Sequence, residues 1–197
     1  MSLHEKLSKL EGLSTHWQQL RRRGLLLTVI GAVFAFASIA DPKLTVMHGD
    51  DFSLLPLCGI VIMTIGLLEC FDAYIAKESK DFLFNLQTGL LDVVVAFLII
   101  FSLGDNPSRL SSLIAAFLIT KSIYRLIIAY ATQSPHFKSI SLTAGISFLL
   151  GLLVWREWPS SEGWFLAFCL SSEISMRGWG LMNFADWLKT NTEAVDQ

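Results

Sequence analysis

Residues 158–179 read WPSSEGWFLAFCLSSEISMRGW, an apolar run interrupted by Glu173 and Arg177. The two charges stand at i and i+4 with the acid first, the favourable order for an ion pair along one helical turn. Moving back 52 residues, Pro107 answers Pro159, Ser108 answers Ser160, Lys121 answers Glu173 and Arg125 answers Arg177. A further 52 places Glu69 under Lys121. A fixed period with a charge at the same depth of each copy points to a structural repeat.

Composition sets the medium in which this repeat folds. Of 197 residues, 53% are hydrophobic and 16% charged, with mean hydropathy +0.54, which is too apolar for a water-soluble domain. Around the opening stretch, apolar segments recur at 24–40, 54–76, 84–104, 110–132, 139–156 and 162–186. Each approaches the ~20 residues that a helix needs to cross a bilayer, the segments at 24–40 and 139–156 being short. The expected fold is an all-α integral membrane protein of six transmembrane helices. They form three repeated hairpins, 24–76, 84–132 and 139–186, within a membrane domain spanning 24–188.

Residues 1–23 precede that domain and set Leu3, Leu7, Leu10, Leu13, Trp17 and Leu20 on one face, the pattern of an amphipathic helix. It lies on the membrane surface or packs on its own bundle. Basic residues before an apolar stretch ending Ser38-Ile39-Ala40 also resemble a cleavable leader, but the long, patterned region upstream argues against cleavage. Nine Lys or Arg fall in the N-terminal region, the 77–83 and 133–138 loops and the 189–197 tail, against Lys43, Arg109 and Arg156 on the opposite side. The positive-inside rule therefore predicts that both termini are cytoplasmic. Asp41, Asp50, Asp51, Asp105, Glu157 and Glu162 make the outer loops acidic, and Trp155, Trp158 and Trp164 gather at that outer edge.

With this topology, Lys121 and Glu173 each lie fourteen residues past their proline and reach one depth. Asp92 arrives from the other direction, about nine residues or roughly 13 Å into its helix, and comes level with Lys121 or Arg125. Glu69, Asp72, Asp92, Lys121, Arg125, Glu173 and Arg177 thus form a candidate buried charge layer of four acids and three bases. Each charge alone costs roughly 2.5–3.5 kcal/mol at the centre of a helix, so they should face inward and pair. The layer is either an internal ion-pair network that fixes helix register, or a polar path, made proton-responsive by its extra acid. A third role is recognition of a partner helix or lipid headgroup.

Other functions find little footing. A net charge of −2 with no basic patch beyond Arg21, Arg22 and Arg23 argues against nucleic acid. His4, His16, His48 and His136 are scattered, and Cys58, Cys70 and Cys169 lie singly in apolar segments, so no metal or disulfide framework is expected. Nucleotide-binding and hydrolase signatures are absent, and no cofactor or enzymatic activity is expected. Gly24 and Gly31, like Gly59 and Gly66, are seven apart and suit close helix approach.

Trp158, Pro159, Glu173, Arg177, Gly178 and Trp179 resemble the closing segment of the HdeD-like acid-resistance membrane proteins. Gly89-Leu90-Leu91-Asp92 is similar to the Gly-x-Leu-Asp element that opens a hairpin in that family. The resemblance covers residues 21 to about 188. It departs from the family in the acidic stretch His48 to Ser53, in Lys121 where the other copies carry glutamate, and in the extended N-terminus. The resemblance implies a bacterial inner-membrane protein linked to acid or envelope stress, with the lipid bilayer as its surroundings and no catalytic residues to carry over. Alternatives are an accessory or assembly subunit of a larger membrane complex, or a proton or small-solute transporter. A membrane-protein partner and a homo-oligomer both fit the apolar surface.

Overall fold

The structure, a computed structural model, describes residues 17–40, 54–75, 79–101, 107–131, 137–158 and 163–193. The leucine stripe from Leu3 to Leu13, the acidic segment from Asp41 to Ser53 and residues 194–197 lie outside the described residues. All described elements are helical: α1 Trp17–Ala40, α2 Leu54–Ile75, α3 Ser79–Phe101, α4 Pro107–Ala131, α5 Phe137–Trp155 and α6 Gly163–Glu193. Arg21, Arg22 and Arg23 lie inside the continuous helix α1 instead of ending a separate one. Pro107 opens α4, where its missing N–H costs no hydrogen bond.

Three helices, Trp17–Ala40, Leu54–Tyr74 and Arg109–Ile127, are long and apolar enough to cross a membrane, and Leu86–Phe101 and Ile140–Trp155 are shorter apolar helices. The distribution of side chains is inverted relative to a water-soluble bundle. Phe36, Phe71, Phe101 and Trp155 are more than 60% exposed, whereas Asp92 and Glu173 are buried. That arrangement matches a surface solvated by lipid and an interior in which the buried charges are paired.

The helices associate as three antiparallel pairs, α1 with α6, α2 with α3 and α4 with α5. Each pair closes on small residues. A Cβ on Gly31 would collide with backbone atoms of Ser171 and Ser175, and one on Gly178 with the backbone of Thr28 and Gly24. Gly66 and Gly89 face each other so closely that a Cβ on either would stand 2.8 or 2.7 Å from the other's carbonyl oxygen. At Gly151 a Cβ would meet Ile119 Cγ1 at 2.8 Å. Backbone approach of this kind gains dispersion contacts where water supplies no hydrophobic drive. Hydroxyls add to it: Ser175 donates to the Thr28 carbonyl at 3.3 Å and Ser111 to the Val154 carbonyl at 3.2 Å.

The hairpins expected from the repeat are not the closest pairs. Helices α1 and α2 barely touch, and α3 and α4 meet over a small area. The short connections at 76–78 and 132–136 join the tight pairs α2/α3 and α4/α5 instead. The α1/α6 pair has the same form without a connection. Its open end is fastened where Arg21 Nε meets Asp186 at 3.5 Å and Lys189 Nζ lies 5.5 Å from the centre of the Trp17 ring. The Arg23–Asp72 contact brings this end of the pair to the C-terminal part of α2, and Arg125–Glu173 joins α6 to α4.

Away from that end, the core is apolar. Leu55, Cys58 and Ile62 of α2, Ile99 of α3, Ile114 and Leu118 of α4, and Leu166 and Leu170 of α6 fill it. Helix α5 ends in a Schellman motif, Trp158 N donating to Leu153 O and Glu157 N to Val154 O, both at 3.1 Å. Glu157 adopts φ 53° there, a conformation that suits glycine. Glu157→Gly should raise the thermal midpoint modestly, equivalent to about 1 kcal/mol or less, because it relieves the Cβ clash of the left-handed geometry. A lowered midpoint in a melting experiment would show that the Glu157 side chain contributes more than its backbone costs.

Candidate functional site

Six of the seven expected charges meet in one buried cluster built by α2, α3, α4 and α6. Asp92 of α3 is wholly buried and accepts from Lys121 Nζ at 2.8 Å and from Arg177 Nη1. Glu173 of α6 accepts from Arg125 and from Ser147 of α5, with Lys121 Nζ 3.8 Å away. Arg177 also pairs with Glu69 of α2. Lys121 rests over the Phe117 ring, 4.8 Å from its centre, which gives the ammonium a further favourable contact.

Asp72 does not join them. Its side chain is 48% exposed and pairs with Arg23 of α1 at 3.2 Å. It lies one turn beyond Glu69 toward the end of α2, on the side where α1 leaves the helix largely uncovered. Without Asp72 the cluster holds three acids, Glu69, Asp92 and Glu173, and three bases, Lys121, Arg125 and Arg177. The extra acid that motivated a proton-responsive reading is therefore not in the layer.

The intrahelical pair expected from the i, i+4 spacing does not form either. Glu173 turns to α4 and Arg177 to α2 and α3. At the same depth, neighbouring helices offer each charge an opposite partner with bidentate or doubled contacts, which outcompete a single pair along one helix. Ser147, which the sequence reading passed over, supplies a neutral donor to Glu173, and its place on an apolar helix opposite a repeat charge was the only signal.

The contacts within and between helix pairs differ in kind. Small residues and hydroxyls hold the two helices of a pair together. Every ion pair of the cluster joins different pairs: Lys121–Asp92 links α4/α5 to α2/α3, Arg177–Asp92 and Arg177–Glu69 link α1/α6 to α2/α3, and Arg125–Glu173 links α4/α5 to α1/α6. Helix α1 contributes no charge to the cluster. Its Arg23 reaches α2 only at the exposed rim.

Cys58 and Cys169 are buried free thiols, and among the described residues no group of three or more His, Cys, Asp or Glu could hold a metal ion. The cluster has matched charges, three acids and three bases, linked as one ion-pair network. No protein-family model matches the chain, and no significant match is found among curated proteins or solved structures.

Proposed function

We propose that the chain is a non-enzymatic bacterial inner-membrane protein of the HdeD-like type, acting in tolerance of acid or envelope stress. All six helices cross the bilayer in this reading, with both termini on the cytoplasmic side. The repeat is carried by helix pairs of the α2/α3 form, the third being α6 with α1. One observation supports it most: five of the residues that carry the resemblance lie inside the bundle, while Trp158, Trp179 and Leu90 are exposed. Asp92, Glu173 and Arg177 belong to the ion-pair hub, and Gly89 and Gly178 sit at the two tightest glycine crossings. A likeness confined to lipid-facing residues would carry much less weight.

The hub itself acts as a structural clamp in this reading, since its charges are matched and shielded. The apolar half of the core that lies beyond it speaks against a continuous polar path for a transported solute. An accessory role in a larger membrane complex remains the second reading, because the outward apolar faces of α1 and α2 offer large uncovered surfaces, Phe36 and Phe71 among them. A strain lacking the gene should survive exposure to low pH less well than its parent, and the intact gene should restore survival. Equal survival of the two strains would sink the stress reading. Stoichiometric co-purification of another membrane protein after mild extraction would then favour the accessory role.

A further inference from the structure

Among the described residues, the exposed Trp and Tyr side chains fall into two groups on opposite sides of Lys121 and Glu173. Tyr74 of α2 is 83% exposed, Tyr130 of α4 79% and Trp179 of α6 37%, while Trp155 and Trp158 at the end of α5 are 70% and 64% exposed. The N-terminal halves of α2, α4 and α6 meet in the apolar core, and Glu69, Lys121 and Glu173 follow on the C-terminal side. Tyr74, Tyr130 and Trp179 come after these charges, so they share one side. Helix α5 runs antiparallel to α4, Val154 meeting Ser111 and Gly151 meeting Ile119, and carries Trp155 past Ser147 to the other side. With a rise of about 1.5 Å per residue, Tyr74 lies about 8 Å beyond Glu69, Trp179 about 9 Å beyond Glu173 and Tyr130 about 13 Å beyond Lys121. Trp155 lies about 12 Å beyond Ser147 in the opposite direction. Between the groups, large exposed side chains such as Ile123 and Ile146 are aliphatic. Charges resume outside them: exposed Arg156 and Glu157 follow Trp155, and the exposed run Arg21 to Arg23 ends at Gly24, which crosses Gly178 beside Trp179. Trp164, which the sequence sets with the outer tryptophans, packs against the core instead.

We propose that these side chains form two interfacial girdles, Tyr74, Tyr130 and Trp179 at one bilayer surface and Trp155 and Trp158 at the other, with the bilayer midplane passing near Lys121, Asp92 and Glu173. The assignment rests on the reading that all six helices cross. An indole or phenol ring has an apolar body and a polar tip, which suits it to the headgroup level better than to water or hydrocarbon. Arg21 and Arg22, at the end of α1 level with Trp179, stand at the depth of lipid phosphates, whose charge complements theirs. Along the helices the girdles are about 20–25 Å apart, a little under the ~30 Å of a typical hydrocarbon core, and local thinning accommodates the difference at small cost. The placement also explains why the hub charges are matched. At the midplane an ionised side chain is farthest from both water phases, and leaving it unpaired costs most there.

The test is depth measurement by nitroxide labels on the full chain reconstituted in dioleoyl phosphatidylcholine vesicles. Tyr130→Cys, Ile123→Cys and Trp155→Cys are labelled one at a time in a Cys70→Ser background, and that background alone is the labelling blank, since Cys58 and Cys169 are buried. Collision with oxygen reports hydrocarbon, and collision with a water-soluble nickel complex reports water. The label at Ile123 should be the deepest, with high oxygen and low nickel access, and those at 130 and 155 should both be shallower, by about 10 Å for position 130. Ile146→Cys on α5, also near hub depth, repeats the deep measurement on a second helix should the Ile123 variant fold poorly. A label at 130 or 155 as deep as that at 123 would overturn the girdles while leaving the crossing intact. Low access to both reagents at 130 or 155 would mean that protein covers the rings, and would overturn the lipid assignment. Full nickel access at every position would remove the crossing along with the girdles.

Discussion

Asp92→Leu should leave almost no folded protein in mild detergent, as read by a monodisperse peak in size-exclusion chromatography and a cooperative melt. Asp92 is wholly buried and is the acceptor shared by Lys121 and Arg177, so its loss leaves buried Lys121 with only the 3.8 Å contact to Glu173 and Arg177 with Glu69 alone. Breaking one buried pair by removing a partner typically costs about 3–5 kcal/mol, most of it from the uncompensated charge. The contact also lost at Arg177 adds to this and brings the total near the lower end of a domain's entire stability, about 5–15 kcal/mol. The same argument predicts rescue. In Asp92→Leu with Lys121→Met, the charges left are two acids and two bases, with Arg177 still on Glu69 and Arg125 on Glu173. Folded yield should recover well beyond that of the single variant, a coupling that independent sites would not display. If the single variant accumulates and melts like the parent, the hub is not what joins the helix pairs.

The second large effect is expected at Gly31. Its neighbours are backbone atoms of Ser171 and Ser175, which cannot rotate away as a side chain can, so any Cβ forces α1 and α6 apart. Gly31→Leu should destabilise by about 3 kcal/mol, the upper end of ordinary overpacking. Because α1 has no other extensive interface, the helix should detach as a unit. A thiol placed by Ser175→Cys reports this directly: shielded beneath α1 in the parent, it should react with a membrane-permeant maleimide many times faster in the Gly31→Leu background. Gly145→Ala is the matching control, since a Cβ there meets nothing within 4 Å, and better helix propensity should leave it neutral or stabilised by up to about 1 kcal/mol. An unchanged labelling rate in Gly31→Leu would mean that α1 is held by something other than its glycine face.

Much of the charge layer was legible because depth is a local property. Counting residues from Pro107 and Pro159 places Lys121 and Glu173 level, and counting from the opposite side brings Asp92 to meet them, as the 2.8 Å contact between Lys121 and Asp92 attests. Choice of partner is not local. The spacing of Gly24 and Gly31 marks a face for close approach, but nothing in either helix says that Gly178, at the far end of the chain, fills it. Pairing by chain neighbourhood therefore grouped α1 with α2. The misplacement of Asp72 has the same root: Glu69 and Asp72 are three residues apart, and only the scant packing of α1 on α2 decides that one is drawn inward while the other stays at the rim.

The pairing of α1 with α6 also sets a timetable. Ribosomes deliver α1 before α6, so the glycine face around Gly24 and Gly31 stays without its match until the last of the six described helices is made. A nascent chain halted after α5 would carry that face bare and would hold Asp92 without Arg177 and Glu69 without any cation from the hub. The arrival of α6 brings Arg177 to Asp92 and Glu69 and covers the glycine face in a single step, so that one late helix closes both the charged and the small-residue seams.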